Sequence, residues 1–189
     1  MTEPIKNVTL GGLTYNANLA KGREVENGKF EIVFNSGEKL TYPQQPERFQ
    51  YFDEYGEQIP EDKVASLPEQ VRNAAPGENL WGGISKKVIQ PKITQNVDEG
   101  LIYDNTYFNI SDVMGATFTS HKDTVSDVEL NDCKNTTVNL AANDSKWYGD
   151  SATIKGGEGN EVILDKEDSA SINGKTVEGK GTAAQKDYE

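Results

Sequence analysis

The chain has 189 residues, 34% of them hydrophobic, and carries 31 acidic against 19 basic side chains for a formal net charge of −12. That charge repels phosphate backbones and anionic lipid surfaces, so neither nucleic acid nor membrane insertion is expected of it. The single cysteine, Cys133, has no partner for an internal disulfide and reads as a small buried hydrophobe, and the low apolar content predicts a thin core.

The N-terminus, MTEPIKNVTLGG, lacks the basic stretch and apolar run of a secretory signal, and no apolar run approaches a membrane span. The expectation is a cytoplasmic protein, one exported by a signal-less route, or one whose signal has been removed. From Asn7 to about Tyr42 short apolar runs alternate with turn chemistry: VTL, then Gly11-Gly12, then LTYNANL with Leu13, Tyr15, Ala17 and Leu19 on one face. Period two means strand. Asn27-Gly28 between REVE and KFEIVF predicts a type I′ hairpin, because that turn needs positive φ at both central positions. Phe30, Ile32 and Phe34 then alternate, and Asn35-Ser36-Gly37-Glu38 turns the chain into KLTYP.

Beyond Pro43 three prolines and the aromatics Phe49, Tyr51, Phe52 and Tyr55 crowd into PQQPERFQYFDEYGEQIP. Proline restricts its own φ and its neighbour's, so the stretch is irregular or edge-like. Its aromatics read as the lid of the sheet's core, with a stacking platform for sugar or peptide as the alternative. EDKVASLPEQVRNAA predicts two short helices, since Pro60 precedes an acidic first turn and Pro68 interrupts the periodicity. APGENLWGG then breaks the chain.

From Leu101 the sequence turns Asn/Asp/Thr/Ser-rich and repeats. Ala116-x-Phe118, Val128-x-Leu130, Leu140-x-Ala142 and Ala152-x-Ile154 are apolar pairs in a step of twelve, and Lys122, Lys134 and Lys146 follow the same step. A meander does not force a constant count, whereas stacked coils do. The period therefore predicts a β-solenoid, whose coil is either two twelve-residue units of about 24 residues with strands on two faces or one compact unit. On this phase TSHK, NDCK and NDSK fall on one corner, with the three lysines in an outward row and Trp147 and Tyr148 on a bulged corner beside the third.

GGEGNEVIL, from Gly156 to Leu164, resembles the calcium-binding nonapeptide of repeat-in-toxin proteins, matching at Gly156, Gly157, Gly159 and Ile163. Glu161 stands where that family has Asp, and there is one copy where the family needs tandem copies. A glycine-rich corner leading into a strand is the reading kept. Asn173-Gly174 predicts a last hairpin that, with Val177, caps the open edge.

The chain is thus expected to be all-β. An antiparallel sheet over 1–58 is followed by short helices and a linker over 59–83, a solenoid of about twelve-residue quasi-repeats over 84–180 and a flexible tail over 181–189. Lone His121 and Cys133 give no metal cluster, although twelve residues apart they would stack, and no nucleotide, nucleophile-elbow or zincin motif occurs. No catalytic residue, cofactor or metal is assigned. The function expected is a binding or structural module that offers a glycan or protein partner the row of Lys122, Lys134 and Lys146 with Trp147 and Tyr148. The alternative is a carbohydrate-active enzyme, a lyase or hydrolase on a β-helix, working through carboxylates. Thr117-x-Thr119 is a single pair, not the row that ice binding requires.

Overall fold

The computed structural model describes residues 4–143, 145 and 148–189. By contacts it divides into a large unit, residues 1–45 with 90–189, and a small one, Pro46–Ile89.

The large unit begins with strands β1 (Asn7–Leu10) and β2 (Leu13–Asn16), paired antiparallel. Strands β3 (Ala20–Glu26), β4 (Lys29–Phe34) and β5 (Lys39–Pro43) follow as an antiparallel meander. The hairpin at Asn27-Gly28 forms, but not as a type I′ turn. Gly28 has φ 70°, whereas Asn27 is not at positive φ, and the register shifts between Glu24 and Glu26. A bulge absorbs the twist that the primed turn would have supplied.

The small unit contains β6 (Phe49–Phe52), helices α1 (Glu61–Val64) and α2 (Glu69–Arg72), and β7 (Ser85–Val88), which pairs antiparallel with β6. The helices start behind Pro60 and Pro68, as expected. Tyr51 is buried here and Lys86, 3% exposed, donates to the carbonyls of Arg72 and Ala74 at 2.7 Å each. Within this unit the aromatics of β6 pack against the lysines of β7, Phe49 and Tyr51 against Lys86 and Phe52 against Lys87.

The chain returns to the large unit at β8 (Lys92–Asp98) and then coils. Strands β9 (Asp104–Ser111) and β10 (Thr117–Thr119) form one coil, and β11 (Thr124–Asn131) and β12 (Thr137–Asn139) the next. Strands β13 (Ser151–Lys155) and β14 (Glu161–Leu164) form a third, and β15 (Ser169–Ile172) begins a fourth. Strands β16 (Lys175–Glu178) and β17 (Gly181–Ala184) and a 3-10 turn over Gln185–Tyr188 close the chain. The molecule is a β-solenoid of about three turns after an antiparallel N-terminal region.

Two sheets result, in the orders β1-β2-β8-β9-β11-β13-β15-β16 and β17-β14-β12-β10-β5-β4-β3. The N-terminal strands are not a separate sheet. They extend both solenoid sheets at one end, while β16 and β17, added antiparallel, finish the other. Each open stack of parallel strands is thereby ended by an antiparallel strand, which limits edge-to-edge pairing. One core runs between the sheets, from Leu13, Ile32 and Leu40 through Phe118, Leu130 and Ile154 to Ile172.

The register corrects the phase. Thr124 pairs with Asp104, twenty residues back, and Thr137 with Thr117, also twenty back, whereas Ser151 pairs with Asp127 and Glu161 with Thr137, each twenty-four back. A step of twelve is therefore half a coil. Val128 and Leu130 stack on Ala152 and Ile154, while Phe118 stacks on Val138 in the opposite sheet.

The two corners of each coil differ. The first is five residues long every time: 112–116, 132–136 and 156–160. Its opening position is left-handed in each coil, at Asp112 (φ 59°), Asp132 (φ 54°) and Gly156 (φ 68°), and so is its fourth, at Gly115, Asn135 and Gly159. Asp, Asn and Gly tolerate that region best. Thus NDCK stacks on SDVM and KGGE, and Lys134 bridges to Met114 and Glu158. GGEGN is the third coil's version of this corner. At Gly157 (φ 72°) a Cβ would stand 1.9 Å from the Cys133 carbonyl oxygen, so the close stacking there requires glycine.

The second corner varies: 120–123, then 140–150, then 165–168. The end of the chain is ordered, in contrast to the flexible tail expected. Gln185, 2% exposed, donates to the Gly156 carbonyl at 2.9 Å and accepts from Asn160 Nδ2, also at 2.9 Å. At Asn173-Gly174 both residues have positive φ (53° and 79°), so the type I′ hairpin lies here.

Candidate binding surface

Strand alternation sends Phe108, Ile110, Val128 and Leu130 into the core and leaves Tyr107, Asn109, Asp127, Glu129 and Asn131 on the outer face of the eight-stranded sheet. Register then aligns them. Thr94, Asn109, Glu129 and Thr153 form one row across four strands, and Asn96, Tyr107, Asp127 and Ser151 form the next. Neighbouring strands lie about 4.8 Å apart, so side chains in a row reach each other. All of them but Ser151 line a shallow depression.

The polar groups here are already joined. Asn109 Nδ2 donates to Glu129 Oε2 at 3.1 Å, Asn131 Nδ2 donates to Asn109 Oδ1 at 2.9 Å, and Ser111 Oγ donates to Asn109 Oδ1 at 3.0 Å. The Lys155 ammonium pairs with Glu129 Oε1. Hydrogen bonds first from Lys155 and then from Asn131 hold the Glu129 carboxyl below its ordinary range. Tyr107 stands beside this network, 42% exposed. A flat ring among fixed donors and acceptors can stack on a sugar ring while the network reads its hydroxyls.

Inside, carboxyls meet the opposite environment. At the second corner Ser126 N–H donates to Asp150 Oδ1 at 2.8 Å, Asp150 N–H donates to Asp168 Oδ1 at 2.9 Å, and Asn143 Nδ2 donates to Asp150 Oδ1 at 3.3 Å. Asp150 is 1% exposed, and its Oδ2 has no hydrogen-bond partner among the described residues. Burial raises its pKa to about 7, and burial likewise raises that of Asp168. Glu38, fully buried, accepts from Thr124 Oγ1 at 3.0 Å.

The residues read from sequence separate. Lys122 is exposed in the second corner, where Tyr148 Oη donates to its carbonyl at 3.1 Å and the Tyr148 ring lies 4.3 Å from that of Tyr103. Lys134 is on the other corner, half-buried, with its ammonium 3.9 Å from Glu158. Lys122 and Lys134 therefore do not share a row, because twelve residues carry the chain half-way round the coil. Lys146 and Trp147 lie outside the described residues. His121 and Cys133 are parted in the same way. The Cys133 thiol, fully buried, donates to the Ile110 carbonyl at 3.3 Å, and desolvation pushes its pKa up to about 11.

Tyr107, Asn109, Glu129, Asn131 and Lys155 were missed. Their signal is the period-two pattern of DNTYFNIS and TVSDVELN, which a step of twenty superposes with Asn109 on Glu129. Among the described residues no three His, Cys, Asp or Glu side chains are grouped to hold a metal, and no helix is long and apolar enough to cross a membrane. No family model, curated protein or solved structure matches the chain.

Proposed function

We propose that the chain is a non-catalytic binding module of a bacterial or phage-type surface, secreted or effector protein, and that the outer face of its eight-stranded sheet takes a glycan. The observation carrying this reading is the half-exposed Tyr107 ring beside side chains that are hydrogen-bonded to one another before any ligand arrives. Such pre-organisation lowers the ordering cost of binding. Asp127 and Glu129 on the face, with a net charge of −12, disfavour an acidic polysaccharide and favour a neutral one.

The rival reading is a glycoside hydrolase or lyase, prompted by Asp127 and Glu129 on one face. A hydrolase needs one carboxyl held protonated near neutral pH. Glu129 is held ionised, and the carboxyls pushed upward, Asp150 and Asp168, are buried away from the face. A glycan array run with reducing-sugar and unsaturated-product assays separates the two. Binding of neutral oligosaccharides without turnover is expected, turnover would overturn the module reading, and no sugar binding at all would redirect it to a protein partner.

A further inference from the structure

Within the small unit, two tight turns meet. In the first, Asp53 Oδ1 accepts the N–H groups of Tyr55 and Glu57 at 2.9 Å each, and Gly56 N–H donates to the Asp53 carbonyl at 3.0 Å. In the second, Leu80 N–H donates to the Ile84 carbonyl at 2.8 Å, closing Trp81-Gly82-Gly83-Ile84. They abut at Gly83, where a Cβ would come 2.8 Å from Glu54 Cβ. Each turn holds out one large aromatic, Tyr55 at 82% and Trp81 at 54% exposure.

The unit's other aromatics have cations of their own. The Lys86 ammonium lies 4.3 Å from the Phe49 ring centroid and 5.4 Å from that of Tyr51, and Lys87 lies 5.2 Å from that of Phe52. Among the described residues no such contact involves Tyr55 or Trp81. The charged side chains on these two turns are Asp53, half-buried, and Glu54, Glu57 and Glu78, exposed, and all four are acidic.

We propose that the abutting turns carrying Tyr55 and Trp81 are a docking patch for an arginine- or lysine-bearing segment of a partner protein. The aromatic faces attract a cation through their quadrupoles, and the carboxylates supply complementary charge around them. Trp and Tyr on braced turns also have little freedom to lose on binding, which is the character of interface hot spots. This patch shares no residue with the glycan face.

The test is calorimetric titration of the full chain with hexa-arginine and, separately, with neutral oligosaccharides, at physiological salt, where general attraction to an acidic protein is screened. The Tyr55→Ala/Trp81→Ala double variant keeps every charge and should bind hexa-arginine about tenfold more weakly, while Tyr55→Phe/Trp81→Phe should bind within about twofold of the parent. Equal affinity of the alanine variant and the parent would overturn the proposal by assigning binding to charge alone. An oligosaccharide affinity that depends on these two rings, with none for the peptide, would overturn it in favour of a sugar platform.

Discussion

The outer face around Glu129 and the buried corner around Asp150 are built from the same coils, and each carries carboxyls in a hydrogen-bonded network. On the face, Lys155 and Asn131 hold Glu129 ionised in contact with solvent. In the corner, Asp150 is stripped of water, has no cationic partner among the described residues and is pushed to about 7. The stacking that aligns side chains is the same in both places, so the difference lies in what surrounds the carboxyl. A solvated, paired carboxylate is available to a ligand, whereas a buried one is committed to the fold and makes the fold sensitive to pH.

The largest effect should come from removing what the two regions share. Leu130 is fully buried on the strand that carries Glu129, so Leu130→Asp places a charge in the core, abolishes cooperative thermal unfolding and destroys face and corner together. Far-UV dichroism that melts as the parent does would show the coil register to be wrong.

Asp150→Asn should act on the corner alone. Because the folded pKa lies above the ordinary value, the parent is most stable below about pH 4 with respect to this group and loses that contribution as pH rises through about 7, by at most about 4 kcal/mol. Asn keeps the acceptor for Ser126 N–H and cannot ionise. The variant should therefore melt higher than the parent at pH 8, with a flatter profile between pH 4 and 8. A slope of the same sign should persist from Asp168, whose pKa is also raised. Melting curves across that range check both statements, and an unchanged profile would contradict them.

Smaller still is the expected effect on the opposite outer face. Thr41, Thr117 and Thr137 form a row across three strands of the seven-stranded sheet, where short hydroxyls lie half-buried. Thr117→Ala with Thr137→Ala should leave glycan affinity within about twofold and cost about 1 kcal/mol or less in stability, by calorimetry and denaturant titration.

The architecture was legible because stacking leaves a period, and the Asn/Asp/Gly composition of the corners marks where the chain turns. The phase was harder to read. The first corner keeps five residues, but the second has four, eleven and four, so successive coils advance by twenty, twenty-four and eighteen residues and a uniform step of twelve superposes opposite corners. That error placed Lys122 and Lys134 in one row and hid Asn109 above Glu129. The second error was local. Both Asn-Gly pairs look alike in sequence, yet at Asn27 the twist of a three-stranded meander is met by a bulge, and only Asn173-Gly174 takes the primed turn. The binding face was illegible for a further reason: its members lie far apart in the chain, and only the register between strands makes them neighbours.

The most direct test of the account is titration of neutral oligosaccharides into the parent, Tyr107→Ala and Asp150→Asn. Loss of the stacking ring should weaken binding about tenfold or more while the fold melts as before, and Asp150→Asn should bind as the parent does despite its altered pH profile. A Tyr107→Ala protein that binds sugar as tightly as the parent would contradict the assignment of the outer face as the binding surface.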